Sequence, residues 1–81
     1  MTKTFHIEYF ALLREQRGVS AETLTTNATT AADIYGELRA KYPFTLPAER
    51  LRVAVNGEFS SWNTPLPDGA KLVFIPPVAG G

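Results

Sequence analysis

A chain of 81 residues whose eight basic and eight acidic side chains cancel has room for one domain, and it shows neither the charge excess of a nucleic-acid binder nor the polarity of a disordered segment. It contains no cysteine, which removes disulfides, thiolate metal sites and thiol nucleophiles; any sulfur it handled would have to ride on another group. Residues Met1 to Glu8 lack the apolar core of a secretory signal and no stretch is long enough to span a bilayer, so a cytoplasmic protein with no membrane and no nucleic-acid partner is expected.

Phe5, Ile7 and Tyr9 alternate with His6, Glu8 and Phe10, the period of a strand with its first set in the core. Parity places Phe10 on the wet face; the alternative is that its ring, at a strand end, folds back over the core edge. Ala11 to Arg17 is rich in helix formers and stops at Gly18, which predicts a short helix. Val19 to Thr26 reads as a second strand paired back on the first. Thr30 is placed as an N-cap with Asp33 three residues on, and Ala31, Ile34, Tyr35, Leu38 and Tyr42 then recur on one helical face until Pro43 ends the run.

After a loop from Pro43 to Glu49, Leu51, Val53 and Val55 alternate with Arg50, Arg52 and Ala54 as a third strand. Asn56-Gly57 follows, a hairpin signal because both residues tolerate positive φ, and Glu58-Phe59 begins a short return strand. Ser60 to Pro67 forms a polar loop around Trp62, and Pro67-Asp68-Gly69 is a turn. Leu72 to Ile75, apolar on both faces, reads as a central strand. This order is α+β, with a mixed sheet of four to five strands on one main helix.

The chain ends Ile75-Pro76-Pro77-Val78-Ala79-Gly80-Gly81. Pro76 and Pro77 donate no ladder hydrogen bonds and favour an extended conformation. The expected organisation is therefore a domain over 1–75 and a projecting, flexible tail over 76–81. Fully stretched, that tail reaches roughly 20 Å, and Gly80 and Gly81 make it narrow enough to pass a constriction.

No side-chain constellation suggests catalysis. His6 has only Glu8 beside it, Asp68 fits a turn better than a general base, and Ser60 and Ser61 have no base in sight. The chemically distinctive group is the Gly81 carboxylate. A carboxylate is a poor electrophile, so another protein must activate it, most simply as an anhydride with AMP. A sulfur nucleophile would then give a thiocarboxylate, and a lysine amine an isopeptide bond.

Phe10-Ala11-Leu12-Leu13-Arg14-Glu15, Ala54-Val55-Asn56, Leu66-Pro67-Asp68-Gly69 and the ending Pro76-Pro77-Val78-Ala79-Gly80-Gly81 together resemble the small subunit of molybdopterin synthase, the MoaD family, over nearly the whole length. Many members carry Phe where this chain has Ile75, and Asp where it has Ala70.

The resemblance implies a β-grasp, ubiquitin-like fold with its first and last strands parallel and adjacent. Phe10 and Ile75 would then form an apolar docking patch at the base of the tail. It further implies that an E1-like adenylating enzyme uses ATP to activate Gly81 and that a persulfide donor supplies sulfur. Residues Pro76, Pro77, Val78, Ala79 and Gly80 would insert into the large synthase subunit, and cyclic pyranopterin monophosphate would receive the sulfur.

Two carriers would sit on a dimer of large subunits, a heterotetramer, and the carrier itself would bind no cofactor or metal stably and would not be an enzyme alone. The same tail also suits a ubiquitin-like modifier, a carrier for thiamine or tRNA thiolation, or a non-catalytic binding module.

Overall fold

The alternation of apolar side chains along the first segment produces β1, Lys3–Tyr9, in the computed structural model, which describes residues 2–77. Its buried residues are Phe5, Ile7 and Tyr9. Helix α1, Ala11–Arg17, ends at Gly18, whose φ of 89° supplies the left-handed C-cap that other residues adopt only with strain. Strand β2 is Ala21–Thr26, shorter than the expected Val19 start. Val19 and Ser20 complete the turn, from which the Ser20 carbonyl accepts a 2.8 Å hydrogen bond from the Tyr9 amide.

Helix α2, Ala31–Lys41, is capped as its sequence predicts, with Thr30 Oγ1 accepting from the Asp33 amide at 3.2 Å. It buries Ala31, Ile34, Tyr35 and Leu38; Tyr42 is the half-buried C-cap rather than a helical residue. A single 3₁₀ turn at Ala48–Arg50 interrupts the expected loop. Strand β3 is Arg52–Val55, β4 is Glu58–Ser60 and β5 is Lys71–Ile75. Asn56 and Gly57 connect β3 to β4 with φ of 51° and 90°, the left-handed pair that a tight hairpin demands.

The five strands form one mixed sheet in the order β2-β1-β5-β3-β4. Strand β5 runs parallel to β1 and antiparallel to β3, and the other neighbours are antiparallel. It therefore occupies the centre, as its apolar run on both faces predicts.

On the core side, α2 lays Ile34, Tyr35 and Leu38 against Phe5, Ile7, Tyr9, Val53, Leu72 and Phe74. The loop after β4 is tied down through its own backbone: the Ala32 amide donates to the Trp62 carbonyl at 3.1 Å and the Leu66 amide to the Thr29 carbonyl at 2.8 Å. Trp62 stacks on Phe74 with ring centroids 5.8 Å apart, closing the core beside Tyr35. Its polar surroundings in the sequence gave no hint of that packing.

Candidate functional site

The helices cover one face of the sheet and leave the other open, and strand register determines what that open face presents. His6 pairs with Lys71 and Glu8 with Val73 between β1 and β5. Val73 pairs with Ala54, Ile75 with Arg52, and Ala54 with Phe59 across β3 and β4. Paired residues share a face, so the open face has a polar half of His6, Glu8 and Lys71 and a mainly apolar half of Val73, Ala54, Ile75 and Phe59, with Arg52 beside Ile75. The apolar half lies at the C-terminal end of β5, where the chain leaves the sheet.

Ile75 is the last residue of β5 and is half-buried; Pro76 is half-buried and Pro77 exposed. A groove of about 520 Å³ lies beside this exit, lined by Arg50, Leu51, Arg52, Phe59, Ile75, Pro76 and Pro77, with Glu49 also on its wall. The tail residues Val78, Ala79, Gly80 and Gly81, which carry the sequence-based expectations of threading and activation, lie outside the described residues.

Phe10 is 43% exposed. Its backbone remains extended, with φ of −126° and ψ of 154°, so the alternation of β1 carries through it and keeps it on the face of His6 and Glu8. The preceding residue, Tyr9, pairs with Phe74, which puts Phe10 at the level of Ile75. Phe10 nevertheless does not line the groove.

That wall belongs to Phe59, the most exposed large apolar residue described, at 68%, and the sequence analysis did not single it out. The signal was present: a two-residue Asn56-Gly57 turn sets Val55 against Glu58 and Ala54 against Phe59, and Ala54 already alternates outward between Val53 and Val55.

The polar groups of the open face are modestly paired. Lys71 Nζ lies 3.3 Å from Glu8 Oε2 with both side chains solvated, a geometry that contributes little to stability. His6 and Glu8 line a separate shallow pocket with Lys71 and Thr23. Among the described residues no cluster of three or more His, Cys, Asp or Glu side chains is placed to hold a metal ion. The Arg52 guanidinium lies 5.5 Å from the Phe59 ring centroid, a cation–π contact along the groove wall.

A second network fixes α1, the element that follows Phe10. Glu22 on β2 accepts from the Tyr9 hydroxyl at 2.6 Å and from Arg17 Nε and Nη2 at 2.7 and 3.0 Å. Arg17 hydrogen bonding holds the Glu22 carboxyl below the usual carboxylate range against the opposing effect of burial, and Tyr9 adds to the lowering. Burial, then the hydrogen bond to Glu22, pushes the Tyr9 hydroxyl well above its ordinary value. Arg17 also lies over the Tyr42 ring at 4.0 Å, so β1, β2, α1 and the end of α2 meet at one charged cluster. It is structural in arrangement: Glu22 has both oxygens occupied and faces the protein.

A family model described as the ThiS family matches residues 7–81. The chain is 33% identical over 79 residues to the molybdopterin synthase sulfur carrier subunit of Mycobacterium tuberculosis, a match covering 94% of this chain and 95% of the relative. Its fold is similar to that of small archaeal modifier protein 1 from Methanosarcina acetivorans, with a TM-score of 0.79 at 24% identity, covering 100% of this chain and 99% of that one. It is also similar to a chain in the complex of subunits 1 and 2 of the molybdopterin-converting factor from Helicobacter pylori, with a TM-score of 0.65 at 24% identity, covering 96% and 99% of the two chains.

Proposed function

Because the chain belongs to the ThiS family, among the small sulfur-carrier subunits of molybdopterin synthase, we propose that it carries sulfur as a thiocarboxylate on Gly81. The observation that supports this reading best is the placement of β5. A central strand, held by ladders on both sides, directs the chain out through Ile75, Pro76 and Pro77 beside an apolar groove and an open apolar face. The domain is the handle and residues 76–81 are the reactive arm.

In this reading an E1-like enzyme joins the Gly81 carboxylate to the α-phosphorus of ATP, releasing pyrophosphate. The terminal sulfur of a persulfide then attacks the acyl carbon and expels AMP. A thiol cleaves the resulting sulfur–sulfur bond reductively, leaving the thiocarboxylate on Gly81 and a disulfide elsewhere. The absence of cysteine suits the chain to this role, because no thiol of its own competes for the activated acyl group.

The loaded tail enters the large subunit, the sulfur passes to cyclic pyranopterin monophosphate, and water restores the carboxylate. Phe59, Ile75 and Phe10 supply the apolar docking surface, two carriers flank a dimer of large subunits, and the assembly acts in the cytoplasm. The carrier alone performs no catalysis and holds no cofactor of its own.

The test is the intact mass of the chain after incubation with its adenylating enzyme, ATP and a persulfide donor. Replacement of one oxygen by sulfur, mapped to Gly81 by fragmentation, is expected. A variant with one residue appended after Gly81 should remain unmodified. Sulfur loading of that extended variant would overturn the mechanism, and formation of isopeptide adducts in place of thiocarboxylate would move the chain to the modifier class.

A further inference from the structure

The groove beside the tail exit combines an apolar floor with two cations, and that combination constrains what can cover it. Leu51, Phe59, Ile75 and the two prolines supply the apolar surface, while Arg50 and Arg52 stand along it. Among the described residues the ion pairs are Arg17 with Glu22 and Lys71 with Glu8. Neither groove arginine is in one, although Glu49 lines the same wall.

Arg52 pairs in register with Ile75, the residue immediately before the prolines. Its guanidinium is laid against the Phe59 ring, which directs the side chain along the groove and limits the freedom it would lose on binding. A partner that seals the apolar floor must therefore take the Arg52 guanidinium out of water. An unpaired charge buried in this way is strongly unfavourable and offsets much of what the apolar contact contributes.

We propose that the protein surface receiving the tail presents a carboxylate beside an apolar ridge. Arg52 pairs with that carboxylate in the covered interface, and Arg50, exposed at the end of the 3₁₀ turn, steers the approach from the rim. The inference rests on the reading of the chain as a carrier whose tail is received by a large subunit, and it adds the chemical character of the receiving surface. Continuity supports this occupant, because Pro76 and Pro77, through which the tail leaves, line the same groove. A neutral, purely apolar partner surface would leave Arg52 buried and unpaired.

The experiment measures binding of the full-length chain to the large synthase subunit from the same genome, at low and at physiological salt. Arg52→Glu is expected to weaken binding by about 100-fold, chiefly through faster dissociation, as for a covered charge pair. Arg50→Glu should slow association about tenfold at low salt with little effect on dissociation, as for a steering charge at the rim. Arg39→Glu, an equal change of net charge at an exposed position of α2, should bind as the parent does.

Parent-like affinity of Arg52→Glu would overturn the inference, as would equal losses for Arg39→Glu and Arg52→Glu, which would report net charge alone. A parent chain that fails to bind the large subunit would overturn the functional reading and this inference with it. A parent chain that binds, is disrupted by Phe59→Asp and is indifferent to Arg52→Glu would overturn the inference while leaving the functional reading in place. If Arg52→Glu leaves binding unchanged but shifts the carbon resonance of the Gly81 carboxylate in the isolated chain, the arginine serves the chain's own terminus and the inference falls.

Discussion

Asn56 shows how much one side chain contributes to the surface that carries the candidate site. Its φ of 51° is a conformation that asparagine tolerates better than other non-glycine residues. Its Oδ1 accepts from the Lys71 amide at 2.9 Å and its own amide donates to the Lys71 carbonyl at the same distance. The hairpin that places Phe59 is thereby pinned to the first residue of β5. Asn56→Ala removes one of these hydrogen bonds and forces alanine into the left-handed region, so we expect a loss of about 2–3 kcal/mol in chemical denaturation. Asn56→Gly, which relieves the backbone but still lacks the acceptor, should lose less. At this scale the sequence was readable wherever backbone chemistry is local, as with Thr30, Gly18 and Asn56. It was unreadable where a side chain reaches far along the chain: Asp68, read as a turn residue, also accepts from the Thr4 amide at 2.7 Å, sixty-four positions away.

Between elements, the cluster of Tyr9, Arg17 and Glu22 decides how firmly α1 is held, and with it the segment that begins at Phe10. The Glu22 carboxyl titrates lower in the folded chain than in the unfolded one. Its contribution is therefore present above the ordinary carboxylate pKa and is lost as pH falls through the lowered folded value. Tyr9 is displaced upward, so its contribution is present below the ordinary tyrosine pKa and declines as the medium becomes strongly alkaline. Glu22→Gln keeps the size of the side chain but not the charge. It is expected to lower stability by about 1–3 kcal/mol near neutrality, with the gap between variant and parent closing at acid pH; a gap independent of pH would show that the carboxylate charge is not responsible.

The existence of these elements was legible from periodicity and stop signals, while their mutual contacts were not. Strand alternation reveals which face a residue takes but not the partner strand. Phe59 was missed although turn length and parity together determine its side, and the expected patch of Phe10 and Ile75 lacked the residue that walls the groove.

For the molecule as a whole, the organisation expected from the sequence separates a domain over residues 1–75 from a tail over residues 76–81. The buried core extends from Phe5 to Phe74 and forms one cluster; the last ladder position is Ile75. If the boundary lies at Ile75 and Pro76, as proposed, deleting residues 78–81 removes no core contact and no sheet hydrogen bond. The truncated chain should melt at the parent's Tm and give the parent's amide spectrum across β1, β3 and β5. Sulfur loading should be abolished.

Removing Ile75 as well should behave differently, because it strips the apolar groove and the residue paired with Arg52 from the central strand. That longer truncation is expected to lower Tm measurably. A fall in Tm on removing only 78–81 would mean that the tail packs on the domain, and the division into handle and reactive arm would have to be redrawn. The proposed separation rests on the mixed topology: β5 is held between β1 and β3, so the ladders on both sides of the strand would persist whether the proposed arm is free, activated or held by another protein.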